Sequence, residues 1–232
     1  MFGSLVTINL PATGNLPPLG DDMSSELDAI NNEFASSGNQ NPQKLIEWAL
    51  KQGARPICTT NFRPFEAVIL HMVSQVRPDI PVVWMDSGYN TEATYQFADQ
   101  VIKQLGLNIV SFVPRRTRAH REALDGPMPG IDDSRHADFT QEVKLEPFER
   151  ALREMQPDVW FTALRAEDTP ERAKMQPVSR NSDGLLKVAP LLQWSAKEMY
   201  QYLQAHDLPN NFDYFDPTKV EEKRECGLHL QH

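Results

Sequence analysis

The segment "RPICTTNFRPFEAVILHMVSQVRPDIPVVWMD", residues 55–86, decides how the fold is read. "RPICTT" is a short run suited to a strand. "IPVVWMD" is a second run, of continuous apolar residues, as expected where both faces of a sheet are covered. Between them, from about Pro64 to Val76, lies a helical stretch that is apolar on most sides and so buried. A strand, a helix and a strand in this order make a parallel crossover.

The same rhythm continues outward. A helix follows with Ala98, Val101, Ile102 and Leu105 on one face and Gly106 as its stop, then a strand "LNIVSFVP" (107–114). After a polar, Arg-rich stretch come a helix from about Val143 to Met155 and the strand "DVWFTAL" (158–164). A further polar loop leads to a last strand in "LLKVAPLLQ" (185–193) and a last helix, "SAKEMYQYLQAH", capped by Ser195. Upstream, Asn41 caps a helix with Pro42 at its first position, and Met23, Leu27, Ile30 and Phe34 mark an earlier amphipathic helix. The expected fold class is α/β: a single doubly wound, mostly parallel five-stranded sheet with helices on both faces. Residues 1–22 read as an extended arm, 23–215 as one α/β domain, and 216–232 as a C-terminal tail.

Composition narrows the function. The 232 residues carry a net charge of −9, which argues against a nucleic-acid binder, whose affinity comes from neutralising phosphates. It leaves room for a small anion held by a local cluster of donors. There is no uninterrupted apolar stretch long enough for a bilayer, and the first residues lack the basic start and apolar block of a secretion signal. With two cysteines, Cys58 and Cys226, a disulfide framework is not expected and a reducing cytoplasm is. Two are also too few for a four-cysteine iron–sulfur cluster, and the six histidines show no metal-ligand spacing.

In parallel α/β folds, ligands bind beyond the carboxyl ends of the strands. That points to four loops. "TTNFRP" (59–64) offers hydroxyls, an amide, Arg63 and the backbone N–H groups of a helix start; it suits a phosphate or serves simply as a cap. In "DSGYN" (86–90), Asp86 either bonds a ribose or base amino group or closes a turn. "PRRTRAHR" (114–121) packs Arg115, Arg116, Arg118 and Arg121 into a phosphate-binding cluster or a solvated face. "LRAEDTPERA" (164–173) brings Arg165 and Arg172, for an anion or for surface ion pairs. Cys58, inside an apolar strand, reads as a small core residue. Cys226 is either incidental or a thiolate supported by Lys223, Arg224 and His229 against the opposing charges of Glu221, Glu222 and Glu225.

Several motifs in order resemble the 3′-phosphoadenosine 5′-phosphosulfate (PAPS) reductase family, within the adenine-nucleotide α-hydrolase-like (PP-loop) superfamily. They are "KRECGLH" (223–229), "QVRPDIPVVWMDSGYNTEATYQFADQV" (75–101), "VKLEPFERAL" (143–152), "WFTALRAEDTPERA" (160–173) and "LLKVAPLLQWSAKEMYQYLQAH" (185–206). The resemblance runs from roughly residue 24 to the end. It implies Cys226 as the catalytic nucleophile, with Arg224 and His229 as tail support. It implies Thr59, Thr60, Asn61, Phe62 and Arg63 in the phosphate loop, Asp86, Ser87 and Gly88 on the adenosine side, and Lys144, Arg165 and Arg172 near the phosphates. The implied reaction is reduction of PAPS to sulfite and adenosine 3′,5′-bisphosphate through an S-sulfocysteine. It uses no bound cofactor, metal or iron–sulfur cluster. Thioredoxin or glutaredoxin is the implied reductant, and the implied assembly is a homodimer.

The chain departs from that family pattern twice. Where the family loop reads Ser-x-Ser-Phe-Gly, Arg63 replaces the glycine and Pro64 follows. The Gly-Asp-x-His-Thr-Thr motif before the tail is absent, and "DLPNNFDYFDPTKVEEK" (207–223) stands there. The alternative function is therefore a family member that binds an adenine nucleotide as a sensor or interaction protein. An ATP-dependent relative is a third reading, though the Ser-Gly-Gly-x-Asp loop of such enzymes is missing.

Overall fold

The structure is a computed structural model and describes residues 21–36 and 41–219. Six strands form one sheet in the order β3-β2-β1-β4-β6-β5. They are β1 (Pro56–Thr60), β2 (Pro81–Met85), β3 (Asn108–Phe112), β4 (Val159–Phe161), β5 (Val178–Arg180) and β6 (Leu186–Val188). Every pairing is parallel except that of β5 with β6. The α/β class and the mostly parallel sheet are as expected, but the expected five strands are six.

The additional strand is the antiparallel edge, β5. Its three residues, Val-Ser-Arg, carry no pattern that a sequence reading can separate from loop. It is an edge strand whose free side is covered. Asn31, on the first helix α1 (Asp21–Ser36), donates from Nδ2 to Val178 O at 2.9 Å and accepts from Val178 N at 3.0 Å.

Alternate strand residues face opposite layers. Cys58, Val82 and Phe161 pack with α1, α2 (Pro42–Ala49), α3 (Glu66–Val76), α4 (Glu92–Leu105) and α8 (Ala196–Ala205). Ile57, Val83 and Trp160 face the other way, against Phe148 and Ala151 of α7 (Glu146–Met155). This is why β1 and β4 are buried at every position, the two threonines that end β1 included. Local caps match the sequence: Asn41 Oδ1 accepts from Lys44 N, Gly106 takes φ 62° at the end of α4, and Ser195 with Glu198 forms a capping box.

Other boundaries differ from expectation. α3 starts at Glu66 because Phe65 is left-handed, with φ 69°. The Arg-rich stretch contains a helix, α5 (Arg118–Asp125), capped by Thr117. The helix expected from Val143 begins earlier, as α6 (His136–Thr140) running through a π-helical turn (Gln141–Leu145) into α7. Among the described residues, no helix is long and apolar enough to cross a membrane.

Candidate active site

Strand order reverses beside β1. The chain leaves β1 toward β2 and β3 on one side and returns on the other with β4. The loops from the carboxyl ends of β1 and β4 therefore diverge, and a crevice opens between them. Thr59, Thr60 and Asn61 form one wall, and Thr162, Ala163 and Leu164 the other. Lys144, on the π-helical turn, and Arg172 also face it, and Tyr214, Asp216 and Lys219 close over it.

The 59–66 loop is shaped by two non-glycine residues with positive φ, Phe62 at 52° and Phe65 at 69°. Such conformations persist where surroundings fix them. Phe62 is fully buried and packs edge-on against Trp84 at 5.0 Å and Phe97 at 6.3 Å. The Phe65 N–H donates to Asn210 Oδ1 at 2.8 Å, and the Arg165 guanidinium lies 5.2 Å over the Phe65 ring.

The backbone donors of this loop are not free, contrary to the expectation from sequence. The Glu66 carboxylate fills their cradle: Oε2 accepts from Thr60 Oγ1 at 2.7 Å and Asn61 N at 2.8 Å, and Oε1 from Arg63 Nε at 3.0 Å. A carboxylate at the first position of a helix suits the helix dipole. Arg63 reaches across the crevice, donating to Ala163 O at 2.7 Å and pairing with Asp168 at 3.3 Å. Burial works against its charge, but Glu66 and Asp168 more than offset that and raise its pKa.

Lys144 is buried and pairs with Asp216 at 2.5 Å, and its ammonium also donates to Thr218 Oγ1 at 3.1 Å. Burial acts to raise the Asp216 carboxyl. The Lys144 charge and the hydrogen bonds from Lys144 and Thr218 outweigh it, holding the group below the ordinary carboxylate value. Arg172, 3% exposed, pairs with Asp168 at 2.8 Å. Four cations (Arg63, Lys144, Arg172, Lys219) and two carboxylates (Glu66, Asp216) line the crevice, a local excess of positive charge in an acidic chain.

The structure thus gathers Thr59, Thr60, Asn61, Arg63, Lys144 and Arg172 around one crevice. Thr59 also accepts from Trp160 Nε1 at 2.9 Å. Phe62 is turned into the core. Arg165 stands outside the crevice, paired with Glu167 and, at 2.7 Å, with Asp168. Ser87 faces a neighbouring hollow shared with Asn61, Lys144 and Tyr214. Asp86 closes its own turn, accepting from Gly88 N, Asn90 Nδ2 and Tyr95 OH, with Gly88 at φ 78°. Cys226, Arg224 and His229 lie outside the described residues. Cys58 is buried in β1, where burial and then the Glu66 charge push its thiol far up, away from the nucleophilic thiolate. Among the described residues, no group of three or more His, Cys, Asp or Glu side chains is placed to hold a metal ion.

Sequence reasoning missed Glu66, Thr162, Tyr214, Asp216 and Lys219. The signal for Glu66 was its position at the helix start. Asp216 and Lys219 belong to "FDPTK", which only the fold brings back over the strand ends, through pairs such as Thr91 Oγ1 with Asp213 O at 2.9 Å.

The comparisons with known proteins bear on this site. The family model "Phosphoadenosine phosphosulfate reductase domain" matches residues 55–215. A phosphoadenosine 5′-phosphosulfate reductase of Synechocystis sp. is 35% identical, with 83% of this chain and 87% of the relative covered. One from Xanthomonas campestris pv. campestris is 34% identical, covering 95% and 98%. Among solved structures, the phosphoadenylyl-sulfate reductase of Candida auris, in a phosphate complex, superposes with a TM-score of 0.68 over 89% of this chain and 92% of that one. At 20% identity this is a likeness of fold. By its domain match and by relatives of this similarity and coverage, the chain belongs to the phosphoadenosine phosphosulfate reductase family.

Proposed function

We propose that this chain reduces 3′-phosphoadenosine 5′-phosphosulfate to sulfite and adenosine 3′,5′-bisphosphate in sulfate assimilation, with Cys226 as nucleophile. The observation that carries this reading is the cation-rich crevice at the point where strand order reverses, in a chain of net charge −9.

The thiolate of Cys226 attacks the sulfonate sulfur, and the sulfur–oxygen bond to the nucleotide breaks. Its electron pair leaves with adenosine 3′,5′-bisphosphate, and S-sulfocysteine remains. A dithiol protein such as thioredoxin or glutaredoxin then attacks Sγ of Cys226. Sulfite departs with the sulfur–sulfur bonding pair, and the second thiol of the reductant closes a disulfide and returns the Cys226 thiolate. The hexavalent sulfur gains two electrons and the dithiol loses two.

In this reading Arg63, Lys144 and Arg172 stabilise charge gathering on the departing phosphate, with Thr59, Thr60 and Asn61 alongside. Asp86, Ser87 and Gly88 form the adenosine side. Arg165 acts from outside, through Asp168 and Phe65. Arg224 and His229 support the thiolate, and the working unit is a homodimer in a reducing cytoplasm, with no bound cofactor. Cys226 follows Lys219 by seven residues, a span of at most about 25 Å when extended, so the chain is long enough to bring the thiol to the crevice. The free volume of the crevice is about 50 Å³, room for an oxyanion.

Intact-protein mass spectrometry after incubation with PAPS, without thiol reductant, tests the proposal. The expected result is one added sulfonate, mapped to Cys226 and discharged by thioredoxin. An unmodified chain that nevertheless binds adenosine 3′,5′-bisphosphate would return the sensor reading.

A further inference from the structure

Two groups in the crevice lack a polar or charged side-chain partner among the described residues. Thr162 is 1% exposed and lines the crevice, yet its hydroxyl finds no hydrogen-bond partner among the described residues. Buried hydroxyls are nearly always bonded, so one that is not calls for a ligand or a water. The second group is the Lys219 ammonium. Arg63 has Glu66 and Asp168, Arg172 has Asp168, and Lys144 has Asp216. Lys219 makes no salt bridge among the described residues, although its backbone N–H is tied to Asp216 O at 3.2 Å. Burial and then the charges of Arg63 and Arg172, with a smaller one from Lys144, press its pKa down against the single opposing pull of Asp216.

We infer that Thr162 and Lys219 form an oxyanion subsite, in which the hydroxyl and the ammonium take the oxygens of one phosphate or sulfonate group of the ligand. The inference rests on the nucleotide reading above and adds two contacts to it. An anion placed there supplies the countercharge that Lys219 and the acceptor that Thr162 do not find among the described residues. It also relieves the repulsion among the four cations. The loop cradle cannot take this anion while Glu66 occupies it, so side chains carry the recognition that free backbone N–H groups would otherwise provide. The free volume of about 50 Å³ agrees, since it has room for an oxyanion.

Isothermal titration of the full chain decides the matter, using adenosine 3′,5′-bisphosphate, adenosine and inorganic sulfate as ligands. The proteins are wild type, Lys219→Gln, the near-isosteric Thr162→Val and, as control, Lys197→Gln on the exposed face of α8. Lys219→Gln is expected to weaken the bisphosphate about tenfold and flatten its salt dependence. Thr162→Val weakens it about threefold or more. Adenosine binding and the urea midpoint stay unchanged in both, and the control matches wild type. Bisphosphate binding unaffected by either substitution overturns the subsite, and an unaffected Thr162→Val alone removes the hydroxyl from it. If wild type binds sulfate but no nucleotide, and Lys219→Gln loses the sulfate, the subsite stands and the nucleotide reading falls. Wild type binding neither overturns both.

Discussion

Residues 115–121 and the crevice beside β1 each hold four cationic side chains, and they differ in what surrounds them. In the first region the charges are adjacent in sequence, and three of the four are spent in ion pairs. Arg115 pairs with Glu146 at 3.1 Å, Arg116 with Glu142 and Asp125 at 2.6 and 2.8 Å, and Arg118 with Glu122 at 2.8 Å. Arg121 is buried over the Phe139 ring at 4.7 Å and donates to Tyr89 OH at 2.8 Å. In the crevice, the cations come from positions 63, 144, 172 and 219, and the fold converges them with fewer carboxylates than they need. Density of charge along a chain is therefore a poor guide to charge left over in space. Binding follows the surplus.

The sharpest way to break this contrast is to remove the buried pair that anchors the segment closing over the crevice. Lys144→Met leaves the Asp216 carboxylate buried without its ion-pair partner, with side chains that are 7% and 8% exposed in the intact pair. Loss of one partner is expected to cost about 3–5 kcal/mol in urea unfolding. Lys144→Met with Asp216→Leu recovers most of it, because the uncompensated charge is gone. A double variant no more stable than the single one would show that the pair is not the anchor.

Next in size is binding. Lys219→Gln removes the uncommitted cation and weakens adenosine 3′,5′-bisphosphate by about 1.4 kcal/mol, the tenfold loss given above, with no change in unfolding. An equal loss from Arg118→Gln would dissolve the distinction between the two regions.

Acid sharpens the comparison further. The Asp216 carboxyl is held below its unfolded value of about 3.9, so its contribution to stability is complete above that value. The contribution is lost as pH falls through the folded value. Unfolding free energy measured from about pH 6 down to pH 3 should fall less steeply in Asp216→Asn than in wild type. Parallel curves would mean that the pair does not set the acid limb.

The smallest effects belong to the arginine-rich stretch. Arg116→Gln and Arg118→Gln are expected to leave nucleotide affinity unchanged. Their shifts in urea midpoint should be close to experimental error and vanish in high salt, as solvent-screened pairs do. A loss of binding in either would move the site.

The sheet was legible because its strands are covered on both faces, so "PVVWM" reads as an unbroken apolar run whatever its partners, and the apolar helix between it and "PICTT" marks the crossover. The edge strand β5 was not, since three residues held by Asn31 from 147 positions away leave no local pattern. In the same way, Thr59–Arg63 announced a ligand loop by composition, and Lys144 and Arg172 came with the family motifs. The filled cradle was hidden because it depends on the Glu66 rotamer. Lys219 was hidden because its environment is made of residues 63, 144, 172 and 216, which only the folded chain brings together.

The measurement that meets the central claim most directly is a crystal structure of the full chain with adenosine 3′,5′-bisphosphate. The account predicts a phosphate group in the crevice between the ends of β1 and β4, within hydrogen-bonding distance of Thr162 Oγ1 and Lys219 Nζ, with Glu66 still in its cradle. A nucleotide with its phosphates on Arg115, Arg116 and Arg118, and an empty crevice, would contradict it.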